Sequence, residues 1–172
     1  MSTVTARAPE WTLDEFLAWE REQPERHEFI GGRIYAMTSP RLGHGRKVRA
    51  LARALEEQLS PPCEVFTEAY LLAAGENAQR PDVMVLCSEP DDDATEARDA
   101  ELVVEVLSPS NRPGEMEAKR EAYLTLPSLV ASPVVDGEEY ENRTSVPGGT
   151  WQRQIMRPGE FSVELHGREI RL

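Results

Sequence analysis

The sequence predicts a mixed α/β (α+β) fold with a central sheet covered by helices on both sides, and three observations predict it. First, three strand-length runs lie mid-chain, Cys63 to Leu72, Asp82 to Cys87 and Glu101 to Leu107. The last two are apolar almost throughout, as in strands buried on both faces. Second, Val48, Leu51, Ala52, Leu55 and Leu59 recur at helical spacing between Pro40 and Ser60, giving one packing face and one solvated face. Third, short apolar runs after Val130 alternate with DG, PGG, PGE and HG turns, the signature of a β-meander.

A chain of 172 residues, 40% hydrophobic and 29% charged, suits one domain with a sizeable core and excludes disordered and collagen-like classes. No repeat, low-complexity linker or second core sets the tail apart. Residues 137–172 are therefore expected to pack on the same domain as 11–136, a single unit over 1–172. The balance of 19 basic and 31 acidic residues gives a net charge of -12, which repels nucleic acid at long range. A nucleic-acid ligand would need a local basic surface.

The N-terminal MSTVTARAPEW has no apolar signal region, and nothing resembles the roughly 18-residue uncharged stretch that spans a bilayer. A cytoplasmic protein with no membrane partner is the expectation. Cys63 and Cys87 fall in apolar runs with no C-x-x-C and no Cys/His cluster in the sequence. Reduced, buried thiols are expected, and neither a disulfide framework nor a zinc site.

Thr12 and Glu15 have capping-box spacing ahead of Leu13, Phe16 and Leu17, so a short helix starts there and ends near Pro24. His27 to Ile30 and Arg33 to Met37 flank Gly31-Gly32, a turn pair that tolerates positive φ, and predict a hairpin. The helix after Pro40 carries Arg41, His44, Arg46, Lys47, Arg49 and Arg53 early and Glu56 and Glu57 late. That polarity opposes the helix macrodipole. It fits either a basic helix start that meets phosphates or a solvated face offsetting the acidic remainder.

EPDDDATEARDAE follows the second strand run; its Asp91-Asp92-Asp93 lacks calcium-loop spacing and reads as a solvated connection. A further helix runs from about Glu115 to Leu126, stopped by Pro127. Beyond Val130, Pro133 restricts the next strand to an edge or an irregular position. Trp151, Ile155, Phe161, Val163, Leu165 and Ile170 are the expected packing residues of the tail.

Three residues stand out against this frame. Glu105 shares a strand face with Val103 and Leu107 inside an otherwise buried run. Ionised and unpaired, it would cost at least several kcal/mol, so it is paired, protonated, metal-bound or at the strand's open end. Asp82 follows Pro81 at the mouth of its strand, either as a strand-entry aspartate or as a ligand. Lys119 shares the stripe of Met116, Tyr123 and Leu126 and so aims inward, unless it is spent on an i,i+4 pair with Glu115. Two carboxylates on neighbouring strands hold a hard divalent cation through oxygen, and an ammonium beside them stabilises charge on a phosphate. Together they point to a metal-dependent phosphodiesterase site.

The segments TLDEFLAWE, RHEFIGGRIYAM with SPRLGHGRKV, RPDVMVL, and VVEVLSPSN followed by EAKREAYLTLPSL carry a resemblance over Trp11 to about Asp136. In them the chain resembles the Uma2 family, also called DUF820, within the PD-(D/E)XK nuclease superfamily. The resemblance implies a restriction-endonuclease-like αβββαβ core, with Asp82 and Glu105 as ligands of Mg²⁺ or Mn²⁺. Lys119 corresponds to the superfamily's motif lysine displaced onto the helix, since Leu107 stands where an E-x-K motif would have it. Glu28 and His44 fall at positions the family pattern favours, and Glu68 is a further carboxylate on the first core strand.

The expected activity is hydrolysis of DNA phosphodiesters. Arg41, Arg46, Lys47, Arg49 and Arg53 would contact backbone phosphates, and a homodimer would suit cutting both strands. The competing expectations are a catalytically silent nuclease-fold module, with Glu105 and Lys119 as a buried ion pair, and a hydrolase of RNA or another phosphodiester.

Overall fold

The structure is a computed structural model that describes residues 11–37, 39–67, 70–108, 114–137, 139–146 and 149–172, apart from the side chain of Glu115. Helix α1 (Leu13–Glu20) opens with the full capping box, Thr12 accepting from the Glu15 backbone while Glu15 accepts from that of Thr12. Strands β1 (His27–Ile30) and β2 (Arg33–Ala36) form the expected hairpin about Gly31 and Gly32, both at positive φ. Helix α2 (Leu42–Glu56) buries Val48, Leu51, Ala52 and Leu55 along one stripe.

Strands β3 (Glu64–Thr67), β6 (Val83–Leu86) and β8 (Leu102–Val106), then helix α3 (Glu115–Tyr123) and strand β9 (Val134–Asp136), follow α2. With α2 these elements give the αβββαβ order. β8 sits centrally, antiparallel to β6 and parallel to β9. β10 (Glu139–Val146) and β11 (Thr150–Met156) extend the sheet to the order β11-β10-β9-β8-β6-β3. Pro133 has the expected effect: an isolated bridge at Ala131 precedes β9, and the Pro133 carbonyl accepts from Glu105 N at 3.1 Å.

Side chains alternate across this sheet. Val83, Val85, Leu102, Val104 and Val106 pack with α2 on one face, together with Phe161, Val163, Leu165 and Ile170. Met84, Leu86 and Val103 pack on the other with Ala122 and Tyr123 of α3. The hairpin β12 (Ser162–Leu165) and β13 (Arg168–Arg171) supplies the tail residues of the α2 face. Ile155 departs from the expected packing: it is 66% exposed on β11, the edge strand of the sheet.

Two further departures concern the first strand run. Cys63 to Leu72 is not one strand, because the chain leaves β3 after Thr67 and re-enters a second sheet as β4 (Leu71–Ala74), which pairs with β5 (Asn77–Gln79) and with β7 (Glu96–Ala97). The second sheet has the order β2-β1-β5-β4-β7. Leu72 and Ala74 face the α3 side of the main core while Leu71 and Ala73 face α1; burial on both faces made two strands read as one. The cysteines are also not reduced thiols: Cys63 and Cys87 are bonded to each other across 24 residues of sequence. The pairing Glu64↔Leu86 continues by one residue to set them opposite, a relation that linear spacing does not encode.

Candidate active site

The register Val83↔Val104 between β6 and β8, continued by one residue, sets Asp82 opposite Glu105. Directly opposed residues of an antiparallel pair have Cβ atoms about 4.5–5.5 Å apart on one face. That face is the α3 face, because Met84 and Val103 belong to it. Both carboxylates are buried, at 8% and 4% exposure. Asp82 Oδ2 accepts from the Val106 backbone N at 2.6 Å, and Oδ1 lies 2.9 Å from His44 Nε2. Glu105 Oε1 accepts from the Tyr123 hydroxyl at 2.6 Å.

Lys119 lies on the inward stripe of α3 and is buried. Its Nζ donates to Glu28 Oε1 at 2.6 Å and stands 4.0 Å from Glu105 Oε1. Burial alone would depress the ammonium, but Glu105, Glu28 and Asp82 outweigh it and hold Lys119 above its ordinary range. Burial pushes the Glu105 carboxyl up to about 8; Lys119 opposes that rise, while Asp82 and Glu28 add to it. The raised proton affinity of Glu105 is thus chiefly a consequence of its burial, to which the neighbouring carboxylates add.

Glu28 therefore belongs to this cluster, reaching it from β1 of the second sheet. The same Oε1 also accepts from the Arg80 backbone N at 3.0 Å. His44, in the first turn of α2, joins through Asp82. Glu68 lies outside the described residues. Arg41, Arg46, Lys47, Arg49 and Arg53 are exposed, and Arg53 pairs with Glu57 at 2.8 Å. The acids Asp91, Asp92 and Asp93 are exposed as well, as a solvated connection requires.

Several participants escaped sequence reasoning. Tyr123 was legible only as a packing residue, yet its place one turn after Lys119 is what aims its hydroxyl at Glu105. Behind Glu28, Arg80 Nη2 donates to Glu20 Oε1 at 2.8 Å, and Glu20 Oε2 lies 2.9 Å from His27 Nδ1. This buried chain ties α1 and β1 to the strand that carries Asp82. Its signal was faint: Glu20 closes α1 on the buried side of the helix, and Arg80 precedes Pro81-Asp82.

The donors suit a hard divalent cation, since Asp82, Glu105 and Glu28 offer only carboxylate oxygen. Among the described residues, no three of these carboxylates bring ligand atoms within 4.8 Å of one another. An ion here would rest on the opposed pair Asp82 and Glu105, with water or substrate completing its shell. No described helix is long and apolar enough to cross a membrane.

The fold and the family are shared with known proteins. A solved structure described as a putative nuclease belonging to DUF820, from Anabaena variabilis, superimposes with a TM-score of 0.71 over 90% of this chain and 89% of that one, at 18% identity. It shares the fold. Two relatives come from Synechocystis sp. Uncharacterized protein slr1290 is 32% identical over 129 residues, covering 73% of this chain and 68% of the relative. Uncharacterized protein sll1609 is 30% identical over 139 residues, covering 77% and 78%. Residues 13–166 match the profile of Uma2, described as "Putative restriction endonuclease". The chain belongs to the Uma2 family.

Proposed function

We propose that this chain is a nuclease that hydrolyses DNA phosphodiester bonds with Mg²⁺ or Mn²⁺ held by Asp82 and Glu105. The observation that carries the reading is the opposition of these two buried carboxylates on adjacent strands, beneath a buried lysine. A hard cation there would supply Lewis-acid activation of water and of the scissile phosphate. Lys119 stabilises negative charge on the phosphate or orients the attacking water, and Glu28 fixes its ammonium in place. His44 holds Asp82, and Tyr123 holds Glu105.

The DNA strand would be held by α2. Its first turn reaches the site through His44, its N-cap Arg41 makes no side-chain capping bond, and a Cβ built at Gly43 or Gly45 meets nothing within 4 Å. Uncapped backbone N–H groups on an open surface bind phosphate, and Arg41, Arg46, Lys47, Arg49 and Arg53 add charge beside them. A homodimer would place two such sites on opposite strands.

The test is a plasmid-nicking assay with Mg²⁺ or Mn²⁺ comparing the wild type with Asp82→Ala and Lys119→Ala, alongside duplex, single-stranded DNA and RNA substrates. Loss of nicking in both variants supports the reading. Equal nicking by wild type and Asp82→Ala would sink it, and preferential RNA cleavage would reassign the substrate.

A second reading is a silent module in which Lys119 serves as a structural ion-pair partner. It is favoured by the shorter distance from Nζ to Glu28 than to Glu105. Calorimetry separates the two: Mn²⁺ binding that Asp82→Ala abolishes supports the nuclease, and no binding by the wild type supports the module.

A further inference from the structure

We propose that Cys63, Cys87 and His166 form a second metal site, for a thiophilic divalent ion of the zinc class, which opens when the Cys63–Cys87 bond is reduced and pins the C-terminal hairpin to the central sheet. One ligand atom from each of these three residues lies within 4.8 Å of the others. Two thiolates on a tetrahedral zinc, each about 2.3 Å from the metal, stand about 3.8 Å apart. Once the bond is broken, the two sulfurs must move apart from bonding distance to reach that spacing, and a nitrogen of the His166 ring already lies within 4.8 Å of them.

Three elements build it. β3 and β6 bring the cysteines opposite one another. His166 occupies the turn between β12 and β13 with φ +49. That hairpin is anchored beside Cys63, because Arg168 Nη1 donates to Ser60 Oγ at 2.7 Å and Arg171 N donates to Gln58 Oε1 at 2.9 Å.

The imidazole carries a feature a disulfide does not need. His166 Nε2 lies 2.8 Å from Glu101 Oε1. A neutral ring that donates Nε2–H to a carboxylate presents Nδ1 as a lone pair, the arrangement that orients and strengthens a metal-ligating histidine. The His166 side chain is 50% exposed, which gives an ion a way in and leaves a fourth position for water. Sulfur and imidazole nitrogen select a softer ion than the carboxylates of Asp82 and Glu105 do. The two sites are also apart: Asp82 and Cys87 lie at opposite ends of β6, about 17 Å along an extended strand.

Reduction precedes binding. A thiol or phosphine reductant delivers two electrons, the S–S bond breaks, and two protons from solvent complete the thiols. Zinc then forms two Zn–S bonds and one Zn–N bond, and the two thiol protons return to solvent.

The test titrates Co²⁺, then Zn²⁺, into the whole protein, once oxidised and once reduced with a phosphine. One Co²⁺ per reduced chain with thiolate-to-cobalt charge-transfer absorption, displaced by Zn²⁺ and missing from oxidised protein, is expected. His166→Asn should lower zinc affinity at least tenfold and remove most of the zinc-dependent rise in Tm. Asparagine tolerates positive φ, so circular dichroism should show the variant folded. Asp82→Ala should leave the absorption unchanged. No thiolate band in reduced protein, or equal affinity in His166→Asn, would overturn the proposal.

Discussion

Asp82 and Glu105 face each other across β6 and β8, yet their environments differ: Asp82 is met by a backbone N–H and an imidazole, Glu105 by a tyrosine hydroxyl in full burial. The consequence is a pH dependence. Glu105 is raised from 4.5 to about 8, chiefly by burial. Between those values the folded protein holds a proton that the unfolded chain has released, so this contribution to stability is full at the acid end and is lost as pH rises towards 8. Without metal, the thermal midpoint should fall from pH 5 to pH 8, and Glu105→Gln should flatten that slope. Mn²⁺ affinity should rise over the same interval, because the ion competes with the proton; calorimetry at pH 6 and pH 8 checks it.

Tyr123→Phe removes the hydroxyl that donates to Glu105 while keeping the ring in the core. Losing a hydrogen bond to a buried carboxylate should cost about 1–3 kcal/mol in urea unfolding. Because this bond lowers the Glu105 proton affinity, the pH dependence of metal binding should move to higher pH. A variant with unchanged stability and an unchanged profile would show that the hydroxyl is not engaged.

Lys119→Met leaves Glu28 and Glu105 without their shared cation and should destabilise the fold by about 3–5 kcal/mol. Adding Glu28→Gln should recover part of that loss, because contacting residues couple by about 0.5–3 kcal/mol. Nicking should stay abolished in the double variant. Recovered stability without recovered activity separates the reaction's need for the ammonium from the fold's need.

Glu141 is lowered to about 2, first by its bond from Arg153, with Arg120 adding to the effect. Its contribution is present above about 4.5 and is lost as pH falls towards 2. Arg120 on α3 is only 3% exposed and its guanidinium meets both the side chain and the backbone carbonyl of Glu141 on β10. Glu141→Ala removes the carboxylate partner of that buried cation and leaves it the backbone carbonyl, so it should cost about 1–3 kcal/mol, with a shallower acid limb in the unfolding profile.

The αβββαβ core was legible because its signals are local. The stripe of α2, the apolar runs of β6 and β8 and the capping box of α1 each follow from side-chain periodicity within one element. Glu105 and Lys119 were legible because each breaks its own pattern, an acid or a cation where burial was expected, whereas Asp82, at the mouth of its strand, stood out only in company with them. What stayed hidden is what registry decides. Cys63 meets Cys87 only through the β3–β6 register, and Glu28 meets Lys119 and Arg80 meets Glu20 only after the second sheet and α1 have packed on the first; no spacing along the chain carries that information. The division of the first strand run into β3 and β4 was hidden for a related reason, since a strand buried on both faces has no alternation to mark where one sheet ends and another begins.

Gly45 separates helix stability from phosphate binding. It lies within α2, where alanine is favoured over glycine by about 1 kcal/mol, and a Cβ there meets nothing within 4 Å. Gly45→Ala should therefore raise unfolding free energy by up to about 1 kcal/mol. If DNA phosphates approach the backbone of this first turn, the added methyl lies in their path, and duplex affinity should fall several-fold despite the gain in stability. The loss should be uniform across sequences, because phosphate contacts position the strand without reading it. Arg46→Ala and Lys47→Ala should instead lower the steepness of the salt dependence, by about one unit for each phosphate no longer neutralised. Unchanged affinity in Gly45→Ala with an unchanged salt slope in the two cation variants would place the strand elsewhere and leave α2 as a solvated face.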